Sequence, residues 1–295
     1  MGRKLLVVLS SLLWGLLATG CQAAIPRAST PTPTPTPAPR VTVEREPSLA
    51  AWDEPLARCA SEGPILLTVR ETLTEAPQPN ADETVWRLIW GEPPPHGQAF
   101  ALGTETAHPV LGPHSPEVPP EEGLTLEEWR ALWTGQVTRW SELRPTWPDI
   151  PIRPLAPWPN SALGQGLTAL VGPRWRYHPQ ARLAPDPELA IELLLITQGS
   201  VGWLPHGWLA WRRAQGDPRL LRVRELQHPE WTAAVVLWYG SEAELAQPVL
   251  RWISCLQHTS GDAYVPHSRP QVHVPAQPDL GPQRLAQRLG LPGVA

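Results

Sequence analysis

The side chains most suited to covalent chemistry are the three cysteines of the 295-residue chain, and the first of them closes a short apolar segment. Arg3 and Lys4 precede the apolar residues 5–18, a stretch shorter than the roughly 20 residues of a membrane-spanning helix and typical of a signal-peptide core. Small residues then lead directly into Cys21, as in a bacterial lipobox, where the cysteine is lipidated and begins the mature lipoprotein. The alternative is an ordinary signal peptide, residues 1–20, in which Cys21 is incidental. Both interpretations predict export, and the lipobox adds an anchor on the outer face of the cell membrane.

The other two cysteines, Cys59 and Cys255, lie in predicted helices at opposite ends of the folded region. In an exported protein such a pair indicates a disulfide. Separate burial of two thiols is the alternative, because free cysteines pack as small hydrophobic groups. Spacing along the chain does not decide between them, since a bond requires the two Cα atoms to lie within about 7 Å of each other.

The remaining polar side chains show none of the patterns typical of an enzyme. The chain has no Gly-rich phosphate loop, no nucleophile elbow and no Cys–His arrangement. Three histidines are candidate zinc ligands: His96, His108 and His114. No pair of them has the close ligand spacing that is typical of a structural zinc site. We therefore predict a protein that is not an enzyme and that holds no metal and no cofactor.

Composition limits the class of partner and suggests what fills the core. The chain carries 24 basic and 28 acidic residues, a net charge of −4, which argues against nucleic acid as a partner because such proteins need a basic face. Trp occurs 16 times, against one Phe and three Tyr. We expect most of the tryptophans to serve as the general core aromatic, and a surface that stacks sugars is the alternative.

Two segments of low complexity flank the predicted domain. Residues 21–40 include the run ASTPTPTPTPAPR, which predicts an extended, semi-rigid tether with a reach of about 3.1 Å per residue. A disordered stalk is the alternative and would also act as a spacer. Residues 258–295 are rich in Pro, His and Gln with weak periodicity and are predicted to be a tail. The folded domain is then residues 41–257.

The first part of this domain alternates strand and helix patterns. Short apolar runs predict strands at 41–43, 65–69 and 85–90. A helical segment, residues 48–63, separates the first two; Ser48 is suited to be its N-cap, and Pro55 predicts a kink or the start of a second helix. This rhythm predicts a mostly parallel sheet with helices on its faces.

The second part contains the clearest helix of the sequence. Thr125 and Glu128 form a capping box, an apolar stripe follows, and Gly135 is placed to end the helix. Further elements follow along the chain, in this order: extended chain at 100–112, a strand at 150–155, a helix from the Asn160-Ser161 cap to about 171, a helix at 186–197, strands at 201–204 and 233–239, and a closing helix at 242–257.

Three stretches, in this order, resemble the phosphate-type periplasmic substrate-binding proteins of ABC transporters. Residues 123–143, GLTLEEWRALWTGQVTRWSEL, are similar to that family's L-T-x-E-x-L-x-x-I-F-x-G-x-I-x-x-W-S-D-L. Residues 151–155 and the Ser-opened helix after them match its next strand and helix, and residues 199–205, GSVGWLP, are similar to its G-A-I-G-Y-V-P strand. The resemblance covers about residues 120–210 and extends more weakly to 41–257.

The resemblance implies an α/β fold of the type II periplasmic-binding-protein class, with two lobes of mixed sheet joined by two crossover strands around a ligand cleft. Lobe 1 would be about residues 41–105 and 232–257, and lobe 2 about residues 106–231. It implies a monomeric, membrane-anchored extracytoplasmic receptor. Such a receptor delivers a small-molecule ligand, an oxyanion, to an ABC transporter permease.

In such clefts, helix N-termini present free N–H groups and positive dipole ends to an oxyanion. By this resemblance, the candidate ligand-binding residues are Ser48, Trp158, Asn160, Ser161 and Ala162. Plain helix capping is the alternative for both serines, and loop packing is the alternative for the tryptophan.

The chain departs from the family at residues 157–163, where the second ligand-binding helix of the family opens. The family opens its second helix with R-x-x-G-S-G-T, whereas residues 157–163 here read PWPNSAL, so Pro157 replaces the arginine and Leu163 the threonine. Arg153, four residues earlier, cannot be assumed to substitute. Charge-assisted hydrogen bonds contribute about 1.5–3 kcal/mol each, so the two losses amount to about a thousandfold in affinity. We therefore expect either a ligand other than phosphate or a surface interaction or sensory module that keeps the fold without transport.

Overall fold

The computed structural model describes most of the predicted domain. The described ranges are residues 37–72, 85–119, 122–172 and 176–259. The predicted signal segment, the lipidation site Cys21, nearly all of the tether and the tail from residue 260 onward lie outside these ranges and stay predictions. None of the helices within the described ranges is both long and apolar enough to span a bilayer.

Nine strands make up the sheet of the described residues. Their bounds are β1 Arg40–Arg45, β2 Leu66–Glu71, β3 Val85–Trp90, β4 Gln98–Leu111, β5 Arg153–Ala156, β6 Arg182–Leu183, β7 Ser200–Pro205, β8 Arg224–Glu225 and β9 Trp231–Tyr239. The strand predicted at 85–90 is confirmed at both ends.

The α-helices pack on the faces of this sheet. Their bounds are α1 Asp53–Ser61, α2 Leu126–Thr134, α3 Trp140–Leu143, α4 Ala162–Val171, α5 Pro187–Ile196, α6 His206–Ala214 and α7 Gln247–Thr259. Two 3₁₀-helices, Pro47–Trp52 and Pro218–Leu221, complete the set of described helices.

The sheet is mixed, with the order β2-β1-β3-β9-β4-β7-β5-β6, and β8 pairs with β4. Strand β1 runs parallel to β2 and β3, and β5 runs parallel to β6 and β7. Between these two parallel groups, β4 and β9 pair antiparallel to each other. The predicted α/β class with mixed sheets and two crossing strands is therefore confirmed.

Strands β9 and β4 connect the two groups, since β9 pairs with β3 and β4, which is 14 residues long, pairs with both β9 and β7. From Gln98 to Ala107 strand β4 pairs with β9, and from Ala107 to Leu111 it pairs with β7. Its register with β9 shifts between Ala101 and Gly103. Such a bulge bends a strand and increases its twist, which lets one strand continue from one group into the other. The predicted lobe boundaries near residues 105 and 231 stay a prediction.

Tryptophan fills the core, as its abundance predicts. Six tryptophans are among the largest fully buried side chains: Trp86, Trp129, Trp133, Trp140, Trp203 and Trp252. The rings of Trp129 and Trp203 lie 5.3 Å apart between centroids, which packs α2 against β7. Each aromatic side chain buries roughly 150–250 Å², so these residues dominate the apolar burial of the fold.

The structure joins Cys59 of α1 to Cys255 of α7 in a disulfide. Their sulfur atoms lie 2.02 Å apart and their Cα atoms 5.7 Å apart, across 196 residues of sequence. The bond ties the helix after β1 to the last described helix.

Three predictions of local structure are wrong. The segment that starts at Ser48 is a 3₁₀-helix followed by α1, and its N-cap position belongs to Glu46, because Pro47 opens the helix. Proline favours the first helical position, where its missing N–H and fixed φ cost nothing. The closing helix begins at Gln247, five residues later than predicted, and α6 was not predicted at all.

Candidate functional site

The start of α4 is the first component of the candidate site, and Ser161 caps it. The Ser161 hydroxyl accepts a hydrogen bond from the backbone amide of Gly164 at 3.1 Å and donates one to the backbone carbonyl of Trp158 at 2.7 Å. Both bonds stay within the first turn and the loop before it. Ser161 therefore caps the helix, which is the alternative to ligand binding that the sequence offers for this residue.

The second component is Glu46, which follows β1 and directly precedes the first 3₁₀-helix. The backbone amide of Ala162 donates to both of its carboxylate oxygens, at 3.1 and 3.0 Å. The Ser48 hydroxyl donates to Oε2 at 3.3 Å. Burial raises the pKa of Glu46, and the hydrogen bonds from Ala162 and Ser48 partly oppose that shift. One carboxylate thus links the end of β1 to the start of α4.

This carboxylate stands where a bound anion would sit at the start of a helix, since the free amides and the helix dipole favour negative charge there. The space left beside it measures about 10 Å³ and is lined by Glu46, Ser48, Ser161, Leu163 and three prolines. That is about the room one water molecule needs. Three of the donors that the family resemblance assigns to an oxyanion, the hydroxyls of Ser48 and Ser161 and the backbone amide of Ala162, are already engaged by the chain itself.

A larger cleft of about 170 Å³ opens on the other side of Glu46. Strand β1, strand β3 with the residues after it, and the start of α4 form its walls. Its polar lining residues are Glu44, Arg45, Glu46, Thr72, Arg87, Glu92, Asn160 and Gln165. Hereafter "the cleft" means this space.

The two arginines of the cleft are engaged by carboxylates. Arg45 is 8% exposed and forms ion pairs with Asp53 at 2.6 Å and Glu71 at 2.8 Å. Arg87 lies 3.4 Å from a carboxylate oxygen of Glu44. The lining has three carboxylates, those of Glu44, Glu46 and Glu92, against two arginines, so its formal charge is negative, and burial raises the pKa of Glu46 and of Glu92.

The predicted ligand-binding residues divide into three groups. Ser48, Ser161 and Ala162 are brought together around Glu46. Asn160 lines the cleft and is exposed. Trp158 is half-buried and outside the lining of both spaces among the described residues, so its predicted stacking role is not supported by its position.

Arg153 does not replace the family's missing arginine. It lines a separate surface depression with Pro151, Arg182 and Thr197. The residue that sequence reasoning missed is Glu46. The only signal in the sequence is an acidic residue three positions after the strand predicted at 41–43, immediately before Pro47-Ser48.

Away from the cleft, one set of described side chains could hold a metal ion: His108, His206 and Glu225. Only His108 belongs to the three histidines that the sequence singled out. The other two residues come from α6 and β8, elements whose positions the spacing of histidines along the chain does not reveal.

No protein-family model matches the chain, and neither does any curated protein. Solved structures do match. A phosphate ABC transporter substrate-binding protein with bound phosphate from Clostridium perfringens is 11% identical, with a TM-score of 0.59 over 77% of this chain and 96% of that chain. An ABC-type phosphate transport receptor from Vibrio cholerae is 14% identical, with a TM-score of 0.51 over 75% and 95%.

A third match belongs to a different class of protein. The regulatory domain of MetR, a LysR-family regulator from N. meningitidis, is 12% identical, with a TM-score of 0.53 over 80% of this chain and 99% of that chain. At these identities the likeness shows the fold and not the function. The chain has a periplasmic-binding-protein-like fold, which phosphate receptors and LysR regulatory domains both share.

Proposed function

We propose that this protein is a membrane-anchored extracytoplasmic solute-binding protein whose cleft takes a small ligand that carries positive charge, such as an amine or a zwitterion. The proposal rests on the carboxylate of Glu46, which accepts a hydrogen bond from the amide of Ala162 and lines a polar cleft of about 170 Å³. The fold, the signal-like N-terminus and the Thr/Pro-rich tether support the extracytoplasmic receptor role.

The oxyanion that the resemblance implies does not fit this site. An anion placed about 4 Å from Glu46 would be repelled by about 4 kcal/mol at an effective dielectric of 20. That is roughly a thousandfold in affinity. The missing arginine at Pro157 removes the compensating charge, and the two arginines of the cleft, Arg45 and Arg87, are paired with carboxylates. An ammonium group beside Glu46 and Glu92 gains the attraction that a phosphate would lack.

The rest of the proposal follows the family resemblance. Lobe 1, about residues 41–105 and 232–257, and lobe 2, about residues 106–231, would close around the ligand. The protein would act as a monomer without enzymatic activity and pass its ligand to an ABC transporter permease. Cys21 would carry the lipid anchor, and the Thr/Pro-rich tether would hold the domain away from the bilayer.

One observation favours a second candidate, a surface interaction or sensory module that retains the fold. The bond from Ala162 to Glu46 joins the end of β1 directly to the start of α4. A receptor of this class needs these elements to separate and to close again around its cargo. A protein whose own carboxylate keeps them together can present a constant surface to a partner.

A thermal-shift screen of the full-length, detergent-solubilised chain separates the two. Ligand at 100 times its dissociation constant stabilises the folded state by about 2.7 kcal/mol, a readily measured increase in Tm. The receptor proposal expects such an increase with spermidine, choline or amino acids and none with phosphate or sulfate. Stabilisation by phosphate alone would contradict the assigned ligand charge. No response to any of these solutes would favour the interaction module.

Two substitutions test the role of the cleft in that screen. In Glu46→Gln, the affinity for cationic solutes should fall by at least about tenfold. The substitution keeps the shape of the side chain but removes one charge-assisted contact, which contributes more than about 1.4 kcal/mol. Glu117→Gln is the matched control, since Glu117 is exposed and lies outside the lining of the cleft. Equal responses in both variants would exclude Glu46 as a ligand contact.

A further inference from the structure

Three side chains that could bind a metal meet where β4, β7 and β8 pair. His108 lies near the end of β4 and pairs with Leu204 of β7. His206 follows β7 directly as the first residue of α6. Glu225 belongs to β8, opposite Val110 of β4. The sheet register therefore brings His108 to two residues that lie about 100 positions later in the sequence.

The geometry of these three residues is compact. One potential ligand atom from each lies within 4.8 Å of the others. The Nδ1 atom of His206 is 2.6 Å from Oε1 of Glu225, and the two imidazole rings are 5.6 Å apart between centroids. The side chains of His206 and Glu225 are 32% and 16% exposed, and all three residues of the cluster are half-buried.

Outer contacts hold the three side chains in place. The Nδ1 atom of His108 lies 3.3 Å from the backbone carbonyl of Gln227, which leaves Nε2 free to bind. Arg213 donates to Oε2 of Glu225 at 3.0 Å. The buried carboxylate of Glu105 accepts from the amide of Gly207 at 2.8 Å, which fixes the start of the helix that carries His206. Hydrogen bonds of this kind orient the ligands of known metal sites.

We propose that His108, His206 and Glu225 form a binding site for Zn²⁺ or a similar transition-metal ion, with the fourth position open to solvent. Two imidazoles and one carboxylate are a donor set that zinc accepts, and three protein ligands with an open position are common for it. Binding replaces the hydrogen bond between His206 and Glu225. A His206 imidazolium releases its Nδ1 proton to solvent and keeps the Nε2 proton, whereas a neutral His206 moves its proton from Nδ1 to Nε2 through solvent, so both imidazoles coordinate in the neutral form.

The alternative is an ion-pair network that needs no metal, in which Glu225 bridges His206 and Arg213. The two interpretations differ in what Arg213 does. In the ion-pair network Arg213 stabilises the ionised carboxylate of Glu225. In the metal site it contacts that carboxylate from outside, and its positive charge repels the metal ion. Arg213→Gln therefore should leave zinc affinity equal to or tighter than that of the wild type.

The test is a zinc titration by calorimetry of the full-length chain, purified with a tag free of histidine. We expect one saturable site that weakens by at least about tenfold in His108→Gln and in His206→Gln, the range that disturbed metal sites show. His114→Gln is the matched control, because His114 is exposed and outside the cluster. Absence of saturable binding in the wild type overturns the proposal, and so does equal affinity in the cluster variants and the control.

A second measurement keeps the proposal testable if a variant fails to fold, as circular dichroism would reveal. The chain has nine histidines, three of them in the predicted tail, residues 258–295, so stoichiometry alone does not locate the ion. Crystals of the wild-type protein soaked with zinc should show one anomalous peak at the zinc edge among His108, His206 and Glu225. A peak only elsewhere, or no peak at a zinc concentration that saturates the calorimetric signal, overturns the assignment.

Discussion

The backbone nitrogen of Ala162 lies 3.0 Å from one carboxylate oxygen of Glu46 and 3.1 Å from the other. The start of α4 thus meets an anion that the chain supplies from the far end of β1. A helix start favours such a charge through its free amides and its dipole. This contact underlies the proposed ligand chemistry, because it places a carboxylate on the Ala162 amide, one of the donors that an external oxyanion would need.

Glu46 should make the stability of the protein depend on pH in a defined direction. Burial raises its folded-state pKa above the ordinary value of 4.5, so the folded state binds this proton more tightly than the unfolded state does. The resulting stabilisation is fully present below pH 4.5 and is lost as the pH rises through the folded-state pKa. Glu46→Gln cannot ionise and can still accept from Ala162. Its free energy of unfolding should therefore rise relative to wild type between pH 4 and pH 8.

Urea unfolding at several pH values measures this difference. Glu117→Gln serves as the control, because Glu117 is an exposed carboxylate outside the site. The expected result is a gap between Glu46→Gln and wild type that grows with pH, while the control follows wild type. A gap that shrinks with rising pH would mean that the ionised form of Glu46 is favoured in the folded state.

Ser161→Ala should lower the free energy of unfolding by about 1 kcal/mol, the usual loss on removing a serine N-cap. Its hydroxyl accepts from the amide of Gly164 and donates to the carbonyl of Trp158, so ligand affinity should change little. Ser254→Ala in α7 is the control, because Ser254 is exposed. If Ser161→Ala abolished the thermal response to a ligand while the control kept it, the hydroxyl would be a ligand contact.

Removing the disulfide should destabilise the protein strongly. Cys59 and Cys255 are 196 residues apart, and closing so long a loop restricts the unfolded chain. We expect the double variant Cys59→Ser with Cys255→Ser to lose about 2–5 kcal/mol in denaturant unfolding. Dithiothreitol should lower the stability of the wild type and leave that of the double variant unchanged. An equal effect of the reductant on both proteins would show that it acts elsewhere.

Local signals in the sequence predict the parts of the fold that local physics decides. Thr125 and Glu128 form the predicted capping box, and Gly135 ends α2 in the left-handed conformation with φ of 72°. Asp186 caps α5 through the amide of Leu189. Each of these interactions spans three or four residues, so the sequence itself contains both partners.

Contacts between distant segments are what the sequence could not predict. Glu46 meets Ala162 across 116 positions, and their contact depends on how β1 and β5 are placed in the sheet. His108 and His206 come together only because β4 pairs with β7 in one register. A shift of one residue in that register would turn His108 to the other face. Neither pairing leaves a pattern that a single sequence reveals.

Gly199→Ala should be among the most destabilising small substitutions in the domain. Gly199 precedes β7 with φ of +70°, and an added Cβ would lie 2.0 Å from the carbonyl oxygen of Pro151. Left-handed strain contributes about 1–2 kcal/mol for alanine, and the clash with backbone should bring the loss to about 3 kcal/mol or more.

Gly216→Ala is the matched control, because its φ is +76° and nothing lies within 4 Å of an added Cβ. Urea unfolding should therefore show a loss of about 1–2 kcal/mol for the control and a clearly larger one for Gly199→Ala. Equal losses would mean that the turn before β7 does not approach Pro151 in solution, and the pairing of β5 with β7 would then need revision.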